Sequence, residues 1–292
     1  MKKLFLLVAV SLLVASCSKE KEQNTTIRFA KVNVHFNDFS ITQEDFPSKN
    51  EEDPASYSGV KAMTLAFYNA AGVETYKETQ IQSDPSTYTT FGSFSADLPI
   101  GNYTMVALGY DYYDGDEFFL ASPTSASFTS ERPRETFCTT QSVTVTGSVP
   151  LNLEVTLSRI TSLLRVISTD GRPAEAVKVR TTYAKGGKSF NPTTGLATVD
   201  NGFSQTNTPS AAAGATVTFN SSLFLFTDEE NITVTIEALD ANDNVLITKT
   251  IPNVPFKRNR RTTLTGAVYT PGSSTASFNL ETSWLTDETV NF

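Results

Sequence analysis

An all-β fold, most simply a pair of antiparallel sandwiches, is the class this sequence predicts. Three observations predict it. Apolar and polar residues alternate with period two in one short run after another, which marks half-buried strands. Residue pairs that tolerate positive φ separate the runs. Helical periodicity is nearly absent beyond the N-terminal segment.

The N-terminal segment is an address rather than part of the fold. Lys2 and Lys3 supply positive charge, Leu4–Ala15 an apolar run, and Ala15-Ser16 small residues before Cys17. A bilayer span takes about 18–20 apolar residues, so this run is too short to be one. It reads as a signal peptide, residues 1–16, cleaved between Ser16 and Cys17. The pattern is that of a bacterial lipoprotein, in which the Cys17 thiol becomes a lipid thioether. The polar stretch Ser18–Thr26 then makes residues 17–26 a lipidated tether.

The strands follow in order. Ala30, Val32, Val34 and Phe36 share one face of a strand over Ile27–Phe36, with Lys31, Asn33, His35 and Asn37 on the other. Ser40–Ser58 is polar, acidic and strand-poor and reads as a long loop. Met63, Leu65 and Phe67 alternate through Lys61–Tyr68, before a turn at Ala71-Gly72. Asp114-Gly115 predicts a hairpin turn between the aromatics Tyr110, Tyr112 and Tyr113 and the pair Phe118 and Phe119. Leu151, Leu153, Val155 and Leu157 alternate with Asn152, Glu154, Thr156 and Ser158. Ser158–Val166 suits a helix or a strand equally. A boundary near Ser158 divides the body into sandwiches over 27–157 and 158–292, and no sequence repeat relates them. Turns at Asp170-Gly171, Lys185-Gly186-Gly187-Lys188, Asn201-Gly202 and Asn242-Asp243-Asn244 punctuate the second part. Its strands include one bearing Ile232, Val234 and Ile236, and a last one bearing Phe278, Leu280 and Trp284.

Composition narrows the function. A net charge of −8 argues against nucleic acid, which needs a basic footprint, and against electrostatic adsorption to anionic lipid. With Cys17 lipidated, Cys138 has no partner in its own chain and reads as a small buried hydrophobe. His35, the one histidine, lies on a polar strand face, so a nucleophile–histidine site has no support. One histidine and one remaining cysteine cannot make a zinc cluster. Asp111, Asp114, Asp116 and Glu117 crowd one turn, but their spacing is not that of a calcium loop. Nor are four acids on one exposed turn two acids facing across a cleft. No enzyme activity, cofactor or metal is expected. The aromatics around that turn suit either strand core or stacking on a partner.

Three segments carry a likeness. Leu98-Pro99-Ile100-Gly101-Asn102-Tyr103 runs into the apolar strand Thr104–Gly109. Val155-Thr156-Leu157-Ser158-Arg159-Ile160 leads into another apolar stretch. Val254–Gly266 contains the basic run Lys257-Arg258-Asn259-Arg260-Arg261 and ends Arg-Asn-x-x-Thr-x-x-x-Gly. With the lipoprotein start, the chain resembles the fimbrillin superfamily of Bacteroidales surface lipoproteins, above all its minor and anchor-type subunits.

The resemblance implies two tandem transthyretin-like sandwiches on an outer-membrane lipoprotein exposed at the cell surface. It implies a fimbrial subunit, structural or adhesive, that assembles with other subunits by β-strand complementation. In polymerising members an arginine-specific protease removes the lipidated N-terminal strand; anchor members keep it. The candidate exchange residues are Ile27, Phe29, Val32, Val34 and Phe36 at one end of the chain and Phe278, Leu280 and Trp284 at the other. Arg28 is the only arginine in the first strand. Its place inside that strand favours a subunit that keeps its anchor. Expected partners are other fimbrial subunits, the outer membrane through the Cys17 lipid, and host or bacterial surface ligands. A surface glycan-binding lipoprotein is the alternative reading.

Overall fold

The computed structural model describes residues 27–41, 50–52, 59–130, 132–147, 149–271 and 279–282. Ser16, Cys17, Phe278 and Trp284 lie outside them. The described residues form twenty strands and one short 3₁₀ turn.

Ten strands make the first half: β1 (Phe29–Ile41), β2 (Asn50–Glu52), β3 (Ala62–Asn69), β4 (Glu74–Ile81), β5 (Ser93–Pro99), β6 (Gly101–Tyr110), β7 (Phe118–Ser122), β8 (Ser125–Phe128), β9 (Thr136–Val145) and β10 (Leu151–Arg159). One layer runs β5-β1-β10 and the other β4-β3-β6-β9, joined where Ser158 and Arg159 pair with Cys138 and Phe137. Alternation puts every second residue inside. Val32, Val34 and Phe36 therefore meet Met63, Leu65 and Phe67 across the sandwich, in one core with Phe94, Met105 and Val155. Phe36 packs on Phe94 with ring centroids 5.1 Å apart. The Pro99–Tyr103 turn closes on itself, because the Tyr103 hydroxyl donates to the Pro99 carbonyl at 2.7 Å.

The second half holds β11 (Ser162–Ser168), β12 (Lys178–Tyr183), β13 (Ser189–Asn191), β14 (Leu196–Ala197), β15 (Phe203–Asn207), β16 (Thr218–Leu223), β17 (Glu229–Leu239), β18 (Val245–Lys257), β19 (Arg261–Gly266) and β20 (Asn279–Thr282). Its layers are β16-β11-β19-β20 and β15-β12-β17-β18. They enclose a second core of Leu164, Val166, Tyr183, Phe219, Val234, Phe256 and Leu264. The ambiguous stretch 158–166 is thus the end of β10 and most of β11, joined by the two-residue link Ile160-Thr161, with no helix.

The two halves share one topology. In each, the first strand lies between an antiparallel neighbour (β5 or β16) and a parallel one (β10 or β19). In each, the second layer repeats the same order, β4-β3-β6-β9 and β15-β12-β17-β18. Two parallel pairings therefore interrupt sheets that are otherwise antiparallel. Each half also carries an insertion, β7–β8 in the first and β13–β14 in the second. These insertions pair with each other through Ala126↔Phe190 and Ser127↔Ser189, giving a sheet that joins the halves.

That joint has its own apolar core. Ala62, Ala66, Tyr68, Val106, Leu108 and Tyr110 point away from the first core and pack with Phe128, Ile160, Phe190 and Phe224. β3 is consequently buried on both faces rather than half-buried. The alanines at 62 and 66 let the insertions approach closely. Two predicted hairpin turns instead connect strands that do not pair. Asp114-Gly115 joins strands of different sheets, since β6 pairs with β3 and β9 while β7 pairs with β8. Lys185–Lys188 likewise links β12 to β13, which do not pair.

Candidate functional site

The first described strand in sequence, β1, is held on both edges and along its inward face. Alternation sends Val32, Val34 and Phe36 inward, where they are 0–1 % exposed. The backbone of β1 pairs on both sides, Val32 with Ala96 on β5 and with Leu151 on β10. Its polar face ties to the same neighbours. Asn33 Nδ2 donates to Asn152 Oδ1 at 2.8 Å, and Ser95 Oγ donates to Asn33 Oδ1 at 3.0 Å. His35 Nδ1 lies 2.7 Å from Ser93 Oγ. Without β1, a slot would open along the whole core, flanked by two unpaired strand edges.

Ile27 and Phe29 are exposed, outside that slot. Arg28 lies one residue before β1 rather than within it, and its carbonyl accepts the Ile100 N–H at 2.9 Å. A cut after Arg28 would leave β1 whole on the body. At the other end of the chain, β20 pairs antiparallel with β19, with Leu280 opposite Leu264. Among the described residues β20 has no counterpart in the first half. The segment leading to it is pinned by Asp170, whose carboxylate accepts the Val268 N–H (2.9 Å), the Tyr269 N–H (2.8 Å) and the hydroxyls of Thr270 (2.8 Å) and Ser168 (2.9 Å).

The basic run of the late segment lies in a cleft of about 430 Å³ at the joint between halves, lined by Cys138, Arg159, Pro192–Gly195 and Lys257–Arg260. Lys257 and Arg258 find their partners within the second half, and Asn259 is the residue of the run that reaches the first. Buried Arg159 donates to Glu135 at 2.7 Å and to Asn259 Oδ1 at 3.1 Å, and lies 4.7 Å over the Phe137 ring. Arg258 pairs with Asp228 at 2.9 Å and donates to the Thr194 carbonyl at 2.8 Å. Lys257 pairs with Glu229 at 2.8 Å. Asn259 takes the left-handed conformation, φ 58°, which asparagine tolerates. Its N–H donates to the Thr161 carbonyl at 3.0 Å.

The acidic and aromatic residues between β6 and β7 do not form one surface. Asp111 pairs with Lys61 at 2.7 Å. Asp116 is buried rather than solvated, ion-paired to Arg134 and accepting the Ser130 N–H at 2.8 Å. Burial alone would raise its pKa; hydrogen bonds from Ser130 and Arg134 hold it below the ordinary carboxylate value. Among the described residues no three His, Cys, Asp or Glu side chains group to hold a metal. Tyr110 is buried and stacked on Phe118 at 4.5 Å, while Phe119 is exposed. Tyr113 sits under Lys61 and Arg134, at 4.7 and 4.2 Å from its ring centre. In the sequence Arg159 stands only within a likeness segment and Asp170 only as a turn residue, with no bonding role legible for either. For Arg159 a signal existed: Val155, Leu157 and Arg159 share one parity, so the arginine continues an inward face.

A family model described as a family of unknown function, DUF6562, matches residues 31–289. No curated protein matches the sequence. Among solved structures, a candidate adhesin from Bacteroides ovatus ATCC 8483 is similar at TM-score 0.51 and 11% identity, over 83% of this chain and 88% of that one. A second candidate adhesin from Bacteroides ovatus gives 0.51 at 10% identity, over 89% and 97%. The fimbrial anchor protein Mfa2 from Porphyromonas gingivalis gives 0.50 at 11% identity, over 88% and 98%. At such identities the likeness is one of fold.

Proposed function

The chain belongs to the DUF6562 family, and from that premise we propose that it is a lipid-anchored subunit of a cell-surface fibre, an anchor or minor component within the fimbrillin superfamily. It works by strand complementation and by its surfaces, not by chemistry at a pocket. One observation carries this reading. The strand nearest the lipidation motif, β1, is seated between two others with Val32, Val34 and Phe36 buried in the core. Exchange of such a strand is β-augmentation: backbone hydrogen bonds give affinity, and pockets for alternate side chains give register.

Arg28 stands outside β1, so the strand stays with the body even if the chain is cut there. A cut there would shed the lipid without opening an acceptor groove, which speaks against a groove-forming shaft subunit. The two-sandwich division near Ser158 is part of the same proposal, and the repeated topology and two cores support it. The resemblance to anchor-type subunits supports it as well, and the location that goes with this reading is the outer membrane, beside other fimbrial subunits. The C-terminal segment carrying Phe278, Leu280 and Trp284 is the proposed donor.

Mass spectrometry of the mature N-terminus from cells tests the anchor. An acylated Cys17 is expected; a free start at Phe29 overturns it. Deletion of residues 277–292 tests the donor: loss of fibre incorporation with a folded monomer is expected, and unchanged incorporation overturns it.

A further inference from the structure

The far end of the first half, opposite the joint, is apolar on every loop. Strand register brings four segments together there. Phe29 pairs with Pro99, Asn69 with Tyr103, and Gly101 with Val145, while Val32 pairs with Leu151 just beyond the 146–150 loop. The Ile100 N–H donates to the Arg28 carbonyl at 2.9 Å, and Ala30 and Val149 line one depression with Val145 and Leu151. Eleven large apolar side chains are exposed among the described residues, and five of them sit on these segments: Ile27, Phe29, Val73, Ile100 and Val149, at 42–73 % exposure.

Charge is sparse in the same place, the nearest on β4 being Glu74, which pairs with Lys77 at 2.9 Å. Loops 70–73, 100–102 and 146–150 contain no charged residue, and the entry segment 27–30 contains only Arg28. The whole chain carries 23 basic and 31 acidic residues, so this end differs from the rest. A concentrated exposed apolar patch marks an interaction surface rather than ordinary scatter.

Chain connectivity names the occupant. Nine residues lie between Cys17 and Ile27, and at about 3.3–3.6 Å per residue step the tether reaches no more than roughly 35 Å. Resting on the reading that Cys17 carries lipid, we propose that this end sits on the bilayer, with Ile27, Phe29, Val73, Ile100 and Val149 entering the boundary between headgroups and acyl chains. The lone Arg28 suits the phosphate layer. The short tether makes the contact intramolecular, so a patch too weak to bind lipid on its own stays engaged. Lipid supplies attachment; the patch supplies orientation, standing the first half on the membrane with the second half outermost.

The test uses the full lipidated chain in phosphatidylcholine–phosphatidylglycerol vesicles. An environment-sensitive fluorophore is placed at Val149→Cys or Val73→Cys on the tip, and at Val245→Cys on the far hairpin as a control; Cys138 is buried and resists labelling. The tip labels should shift to the blue and lose intensity with spin-labelled acyl chains, and the Val245→Cys label should do neither. With Ile27→Cys labelled, Val73→Asp together with Val149→Asp should abolish the shift while flotation with the vesicles persists. Flotation with unshifted tip labels overturns the proposal and leaves the anchor standing. Failure to float overturns both. A shift that needs no lipid and grows with protein concentration overturns the proposal in favour of contact between two copies.

Discussion

Arg159 donates through Nη1 to Asn259 Oδ1 at 3.1 Å, tying the last strand of the first half to the turn between β18 and β19 of the second. The two residues belong to separate segments of the likeness described above. Their contact gives both segments a structural reason: one supplies a buried cation, the other a left-handed turn that receives it.

Arg159→Ala should therefore destabilise the fold strongly. It removes the ion pair to Glu135, breaks the link to Asn259 and takes away the cation over Phe137. Breaking a buried ion pair from one side costs about 3–5 kcal/mol. Urea unfolding should show that loss, whereas Lys257→Ala, whose partner Glu229 is exposed, should change stability by less than about 1 kcal/mol.

Asp170 should give the fold an acid-sensitive component. Burial would raise its pKa, but hydrogen bonds from Thr270, Ser168, Val268 and Tyr269 outweigh it and hold the carboxyl low. A pKa lower when folded than unfolded stabilises fully above the unfolded value of about 3.9. That stabilisation is lost as pH falls through the folded value. Asp170→Asn should cost about 1.5–3 kcal/mol at pH 7, the worth of hydrogen bonds to a charged group. It should also flatten the decline of stability below pH 4, measured by chemical denaturation across pH.

Gly195→Ala tests how tightly the joint is packed. Gly195 has φ 71°, and an added Cβ would lie 2.8 Å from Ile160 Cγ2 and 2.9 Å from Arg258 Nη1. The left-handed conformation alone costs a side chain about 1–2 kcal/mol. A lower melting temperature is expected. Gly72→Ala, with a similar φ but nothing within 4 Å of the new Cβ, should lower it less.

Cys138 should be inert in the native chain. Burial pushes its thiol up to about 12, and it donates to the Pro192 carbonyl at 3.3 Å. Native protein at pH 8 should show no iodoacetamide adduct at Cys138 by peptide mass mapping, and denatured protein should show one.

Much of this architecture was legible in the residues, for a simple reason: period-two alternation reports which side chains face a core. It identified β1, β3, β10 and β17 and the inward set Val32, Val34 and Phe36. Alternation is silent on strand direction, so the parallel pairs β1·β10 and β11·β19 had no signature. It is equally silent on pairing partner, so Asp114-Gly115 looked like a hairpin when it crosses between sheets. β13 and β14, at three and two residues, are too short to show a period. The repeated topology left no trace because each half fills its core with different side chains at equivalent positions. Arg159 broke the pattern by placing a cation at an inward position, the kind of local inconsistency that marks a specialised contact.

The parallel pairing of β1 with β10 also governs how the body would carry load. Tension from a tether would enter β1 at Phe29, and tension from the outer half would enter β10 at Arg159. These points lie at opposite ends of two strands that run the same way. The pull is then directed along the strands rather than across them, and the hydrogen bonds of the whole register from Val32↔Leu151 to Ser40↔Ser158 resist together instead of opening one at a time. The antiparallel strand on the other flank, β5, is sheared along the same axis. Such a geometry makes the first sandwich a tensile clamp whose strength is set by the length of β1.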